Sequence, residues 1–323
     1  MTITPLQLAA LVSAGIPGLY PVAALPAPDS STYDYDSAII LDSTNKRWLV
    51  RAPKSPEASV RLEAEHVILQ SFTPGLRARL PFLLPTIAGT VPLAGSQAFI
   101  YSYTPGSRLS IDQLNQLAHQ SLGKADGLAS QLAHSIATIH ALPSSLIEEA
   151  DLPLYTGQHI QERRQAELSL ALSTGHLPAQ LSRRWTQLFE NPDLWQFRPR
   201  CIHGDLNEDQ LLIDQKKLVE ISGWSSLCLG DPAQDFAWLY ACESTALRDQ
   251  VFDLYRKAMP QEPDRNLETR ASLYAEFSLA QWLIRGLELE DQAMIDEAVS
   301  LLQGLEEDLL AAQPLPGLGN ETL

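Results

Sequence analysis

Cysteine is scarce in this chain, and so are apolar runs unbroken by proline. Only Cys201, Cys228 and Cys242 occur in 323 residues. An odd count without C-x-x-C spacing excludes a disulfide framework and a cysteine-ligated zinc site. The seven histidines include no H-x-x-x-H pair, so no metal-hydrolase helix is indicated. The apolar stretch from Leu6 to Leu25 is interrupted by Pro17 and Pro21, and no Lys or Arg precedes Lys46. The sequence therefore predicts neither a membrane span nor a secretory signal. Basic residues are also a minority: 23 Lys and Arg face 39 Asp and Glu, a formal net charge of −16. Such a surface repels phosphate backbones and anionic headgroups, which argues against nucleic-acid and membrane partners and tolerates a cationic small molecule. These absences predict a cytoplasmic protein in a reducing compartment.

What is present describes a folded chain, with 45% hydrophobic and 19% charged residues. Thr4-Pro5 opens a short helix through Ala14, after which Gly15, Pro17, Gly18 and Pro21 predict irregular structure. Strands are expected at Ala38 to Leu41 and Arg47 to Ala52, with Ser43 to Lys46 as the turn. A helix is expected from Leu62 to Phe72, and a strand from Gln97 to Tyr103 that ends at the turn Thr104-Pro105-Gly106. Beyond it the pattern is helical. Leu128, Leu132, Ile136 and Ile139 form one apolar stripe, and Leu273, Phe277, Ala280, Ile284 and Leu287 form another. A strand-like island from Pro199 to Ser226 interrupts the helices. The expected architecture is α+β with two lobes. Residues 1–30 form a lead-in, 31–103 a β-rich N-lobe, 104–312 a helical C-lobe and 313–323 a frayed tail.

The island carries the chemistry. Cys201-Ile202 leads into the polar loop His203-Gly204-Asp205-Leu206-Asn207-Glu208-Asp209-Gln210, and the apolar run Leu211-Leu212-Ile213 follows. A polar loop between buried strands is where a rigid scaffold presents reactive groups. Further on, Asp231-Pro232 reads as a helix cap and first-turn pair, and Asp235 as a brace for the neighbouring loop.

His203-Gly204-Asp205-Leu206, the run Leu211-Leu212-Ile213-Asp214, and Gly230-Asp231-Pro232 with Asp235-Phe236-Ala237 resemble, in order and spacing, the paired signatures of the aminoglycoside and macrolide phosphotransferase family, relatives of the protein kinases. Supporting pieces are Trp48-Leu49-Val50-Arg51-Ala52-Pro53, the hinge-like Tyr101-Ser102-Tyr103-Thr104-Pro105-Gly106, and Leu132-Ala133 with the run from Ile136 to Pro143. The resemblance covers Ser37 to Leu310. It implies a bilobal kinase-like fold, ATP or GTP with Mg as cofactors, and a small molecule whose hydroxyl accepts a phosphoryl group. It implies that Asp205 takes the hydroxyl proton. By the same resemblance Arg51 steadies the phosphates and pairs with Glu65, Lys54 is an alternative phosphate contact, and Tyr103 lies in the hinge beside the nucleotide.

Two positions depart from the family, both at implied metal ligands. Gln210 stands where an Asn is expected and Gly223 where an Asp is expected. Glutamine carries its amide oxygen one methylene further out, and glycine has no side-chain donor. Magnesium contributes several kcal/mol to phosphoryl transfer, and about 1.4 kcal/mol is tenfold in rate. Glu208, Asp209 and Glu220 are the nearby carboxylates that could substitute. The segment Thr32 to Ser37 has no glycine where a phosphate-covering loop needs close backbone amides, and its Asp34 and Asp36 oppose phosphate. Two readings follow: an active small-molecule kinase, or a degenerate one that binds a nucleotide, metabolite or protein partner without transfer. Trp195 and Phe197 read either as exposed anchors for a protein partner or as core aromatics.

Overall fold

A two-residue alternation organises the first hundred residues. In the computed structural model, which describes residues 2–27, 34–242 and 244–312, they form α1 (Pro5–Gly15), β1 (Pro21–Pro26), β2 (Tyr35–Asp42), β3 (Arg47–Pro53), α2 (Pro56–Ser71), β4 (Ile87–Leu93) and β5 (Ser96–Ser102). The strands make one antiparallel sheet in the order β1-β2-β3-β5-β4. Successive strand side chains point to opposite faces. Ala38, Ile40, Val50, Ala52, Ala98 and Ile100 therefore pack on one face against Leu8 and Val12 of α1. Phe99 and Tyr101 pack on the other against Leu62 of α2, with Leu49 beside them. Arg51, between Val50 and Ala52 in sequence, shares that second face, and its guanidinium lies over the Tyr101 ring.

The expected strand pair 38–41 and 47–52 is β2 and β3. Its turn is held by Asp42, whose carboxylate accepts from the backbone N–H groups of Thr44 at 2.8 Å and Lys46 at 2.9 Å and from Trp48 Nε1 at 2.9 Å. Three local expectations are corrected. The helix expected from Leu62 begins at Pro56, where the Ser55 hydroxyl caps the Ala58 N–H at 3.1 Å. The segment expected to be irregular contains β1, and β4 is a strand for which the alternation gives no signal. Both are the edges of the sheet, where Pro21, Pro26 and Pro92 cost no ladder bond to a second neighbour.

The chain divides into two compact units, residues 1–154 with 200–263, and 155–199 with 264 onward. The first unit continues past the sheet with helices Ile111–Gln120, Leu128–His140 and Ala246–Ala258. Leu128, Leu132, Ile136 and Ile139 are buried, as their spacing predicts. Two short antiparallel pairs follow, β6 (Arg200–Ile202) with β9 (Cys228–Gly230) and β7 (Leu211–Asp214) with β8 (Lys217–Ile221). Residues 203–210 thus connect β6 to β7, and residues 222–227 connect β8 to β9.

The second unit holds helices Gly157–Ser173, Ala179–Glu190, Leu267–Glu288 and Gln292–Ala312. Leu273, Phe277 and Ala280 are buried, but the stripe then turns to Leu283, and Leu287 is 36% exposed. A four-three repeat drifts around a helix of 3.6 residues per turn, which explains the correction. Trp195 is buried against Phe189 and Tyr274, so it is a core aromatic. No described helix is long and apolar enough to cross a membrane. The predicted tail at 313–323, and Thr32 and Tyr33, lie outside the described residues.

Candidate active site

The loop after β6 is shaped by one buried carboxylate. Asp235, fully buried, accepts from the backbone N–H of His203 at 2.9 Å and of Gly204 at 2.9 Å. His140 Nε2 lies 3.1 Å from the same carboxylate, and its Nδ1 lies 2.7 Å from the Tyr255 hydroxyl. Burial works to raise the Asp235 pKa, but the His140 hydrogen bond, the neighbouring histidines and the Gly204 amide outweigh it and hold it below the usual carboxylate range. Asp231 caps the 3₁₀ turns Pro232–Tyr240 by accepting from Ala233 N–H at 3.0 Å. Capping and bracing are the roles expected for these two residues. Gly204 has φ of +82°, and a Cβ there would run into the Ser226 carbonyl, so this corner needs glycine.

His203 is fully buried and ties the loop to the next one. Its Nε2 lies 2.9 Å from the Ser222 carbonyl, which makes that nitrogen the donor and leaves Nδ1 to accept the Asp205 N–H at 3.4 Å. Asp205 is thereby presented at the loop's tip. The residue is exposed, while the cavity walls beside it remove part of the carboxylate's water. That desolvation raises its pKa, and the nearby Asp235 adds to it, against the opposing pull of His203 and Arg61.

Asp205 opens on a cavity of about 510 Å³ that is also lined by Arg51, Arg61, Glu65, Asn207, Gln210 and Gly223. The Arg51 guanidinium sits 5.5 Å from the Tyr101 ring centroid and 6.0 Å from that of Tyr35. Glu65 is 3% exposed. It accepts from the backbone N–H groups of Gly223 at 2.8 Å and Trp224 at 3.2 Å, and from the Tyr101 hydroxyl at 3.3 Å. It therefore holds the backbone at 223–224, in addition to sharing the cavity with Arg51. Lys54 is exposed and is not among the cavity-lining residues. Tyr103 lines a smaller cavity of about 40 Å³ with Ile39, Leu49, Leu212 and Glu220.

Two cavity arginines carry no local sequence signal. Arg61, on α2, forms an ion pair with Asp34 at 2.7 Å. Burial works to lower its pKa, but the Tyr35 hydrogen bond and the Asp34 carboxylate leave it raised. Arg108, just beyond the hinge, donates through Nε to the Asp209 carbonyl and through Nη2 to the Ser222 hydroxyl at 3.3 Å. The acidic hairpin is also corrected. Asp34 faces the cavity already paired with Arg61, whereas Asp36 is buried and accepts from the Ile3 N–H at 2.6 Å. Only one of the two aspartates is therefore near the site.

The volume beside Gly223 is filled. Gly223 has φ of +80°, and a Cβ built on it would collide with the amide of Gln210. The Gln210 oxygen accepts from the Ser222 hydroxyl at 3.2 Å. Glu220 cannot supply a missing ligand there, because its carboxylate lines the smaller cavity and accepts from the Thr104 hydroxyl at 2.5 Å. Burial raises its pKa. Asp209 lines the larger cavity and Glu208 does not. Among the described residues no group of three or more His, Cys, Asp or Glu side chains is arranged to hold a metal ion. The donor set at 210 and 223 does not fit magnesium.

The model of the phosphotransferase enzyme family matches residues 28–265. An uncharacterized protein of Bacillus subtilis (strain 168), YcbJ, is 21% identical over 210 residues, which is 63% of this chain and 65% of that relative's length. Among solved structures, the GDP complex of wild-type aminoglycoside 2'-phosphotransferase-IIIa superposes with a TM-score of 0.77 at 21% identity, covering 95% of this chain and 100% of that one. A macrolide 2'-phosphotransferase type I gives a TM-score of 0.71 at 20% identity, covering 94% and 98%. The fold is accordingly kinase-like and α+β, with a small β-rich N-lobe and a larger helical C-lobe.

Proposed function

Because the chain belongs to the phosphotransferase enzyme family, we propose that its cavity binds a nucleoside triphosphate and passes the terminal phosphoryl group to a hydroxyl of a small molecule. In this reading Asp205 accepts the hydroxyl proton as the new O–P bond forms, the bond to the β-phosphate breaks, and the nucleoside diphosphate leaves. The observation that carries it is the placement of Asp205. Its carboxylate opens on a cavity with Arg51 and Arg61, on a loop whose backbone a buried Asp235 holds by two hydrogen bonds. The raised Asp205 pKa suits a base, since a carboxylate that burial disfavours takes a proton more readily. Arg51 and Arg61 present guanidinium forks suited to phosphate oxygens.

The acceptor class is read from the relatives' names, which describe aminoglycoside and macrolide phosphotransferases. The net charge of −16 favours the cationic aminoglycosides of the two. A cytoplasmic setting is supported by three buried cysteines that form no disulfide. The test is incubation with ATP or GTP and a panel of aminoglycosides and macrolides, with phosphorylated product read by mass spectrometry. Product is expected from the wild type and is lost in Asp205→Asn; product formed equally by that variant excludes Asp205 as the base. A second reading, nucleotide binding without transfer, is supported by the Gln210 amide filling the place of a ligand at 223. It predicts ATP binding with no product from any acceptor.

A further inference from the structure

We infer that His140 and Tyr255 are positioning residues for Asp205, acting through the buried Asp235 carboxylate on the backbone at 203–204, an inference that rests on the proton-acceptor role proposed above. Neither lines the cavity beside Asp205 or the smaller one beside the hinge, so any effect on transfer must pass through other groups. Tyr255 belongs to the helix Ala246–Ala258, and His140 is the last residue of the helix Leu128–His140. The Tyr255 hydroxyl lies 2.7 Å from His140 Nδ1, and His140 Nε2 lies 3.1 Å from Asp235 Oδ2. All three side chains are buried.

What each atom can do fixes the direction of these bonds. Asp235 is held ionised by its surroundings and has no proton to give, so His140 Nε2 donates to it. A neutral imidazole then offers Nδ1 as acceptor, and the Tyr255 hydroxyl donates to that nitrogen. At the far end Asp235 Oδ2 accepts from the His203 N–H and Oδ1 from the Gly204 N–H, each at 2.9 Å. Two oxygens on two consecutive amides fix the rotation of the carboxylate, and Asp205 is the next residue in the chain. Ring contacts keep His140 from turning: its centroid lies 5.9 Å from that of Phe236 and 5.4 Å from that of Tyr255, both edge-on. Without the His140 donor a buried carboxylate is left short of a partner, and it turns to find one. The 203–204 amides then lose their alignment and the Asp205 carboxylate moves with them, and misplacement of a reacting group by about 1 Å costs about a hundredfold in rate.

The test combines hydrogen exchange of the full chain, read by mass spectrometry on peptides spanning 201–210, with steady-state transfer kinetics. Tyr255→Phe removes only the hydroxyl, His140→Phe keeps a ring without nitrogens, and His140→Gln keeps an N–H donor where Nε2 stands. In His140→Phe, exchange across the loop is expected to quicken by about tenfold or more, and kcat to fall by about tenfold to a hundredfold with KM for either substrate within about twofold of wild type. Tyr255→Phe is expected to move both readouts in the same direction by less, and His140→Gln to recover part of the loss. A merely structural role lowers the melting temperature and leaves kcat of the folded enzyme and exchange at the loop as in wild type. Wild-type exchange at 201–210 in both His140→Phe and Tyr255→Phe overturns the inference, and so does wild-type kcat in both. Should His140→Phe fail to fold, Tyr255→Phe and His140→Gln carry the same readings. Absence of transfer by the wild type removes the proposed function, and loop exchange then decides by itself whether His140 and Tyr255 hold the Asp205 loop.

Discussion

The packing of Gln210 against Gly223 makes a quantitative prediction. At Gly223→Ala the backbone must keep φ near +80°, a left-handed conformation that costs an L-residue about 1–2 kcal/mol. The new Cβ also displaces the Gln210 amide, which breaks its 3.2 Å hydrogen bond with Ser222 and adds about 1 kcal/mol. The expected total is about 2–3 kcal/mol, and at about 2–4 °C per kcal/mol for a unit of this size the melting temperature falls by about 4–12 °C. Gln210→Ala alone loses the Ser222 bond. In the double variant the collision is gone, leaving the backbone cost and the single lost Ser222 bond, so the bond is not counted twice and the two substitutions are coupled by about 1 kcal/mol. Thermal melts of the four proteins measure this. Strict additivity would show that Gln210 does not occupy the space beside Gly223.

Other substitutions test neighbouring parts of the site. Gly223→Asp combined with Gln210→Asn clears the collision and restores both donors, so magnesium is expected to strengthen ATP binding in that pair. No response to magnesium in that pair would mean that position 223 does not face the phosphates. Asp205→Asn is expected to lower transfer by about 10²–10⁴-fold and, because the folded state disfavours this carboxylate's charge, to raise the melting temperature at neutral pH. That gain shrinks as pH falls into the carboxyl range, and a destabilised variant at pH 7 would contradict it. Asp235→Ala strands the His203 and Gly204 amides and is expected to cost about 3–5 kcal/mol by urea denaturation. Since the Asp235 pKa is depressed on folding, its contribution is complete above about pH 3.9 and is lost as pH falls through the lower folded value. The wild type should lose stability more steeply than the variant in that acid range, and parallel curves would refute the assignment.

Much of this architecture was legible because local and tertiary demands agree. Leu128 through Ile139 repeat with helical spacing and are buried, and the alternation through Ala38, Ile40, Val50 and Ala52 marks the sheet face under α1. The apolar stripe read without its cap starts α2 six residues late, at Leu62; Ser55-Pro56, a cap followed by a first-turn proline, opens the helix. The two sheet edges were not legible, because β1 and β4 tolerate prolines that interior strands reject. Asp205, Gln210 and Gly223 could be found because they sit in an ordered motif. Arg61 and Arg108 could not, since nothing adjacent to either in sequence indicates a cavity, and only the fold of the first unit brings them beside Asp205. Asp36 shows the converse: read as a charge opposing phosphate, it is committed to the backbone of Ile3.

A crystal structure with a non-hydrolysable ATP analogue tests the nucleotide site most directly. The account predicts triphosphate oxygens within hydrogen-bond reach of Arg51 and Arg61, with the terminal phosphate toward the Asp205 carboxylate. Triphosphate density elsewhere, or none in this cavity at saturating analogue, would contradict it.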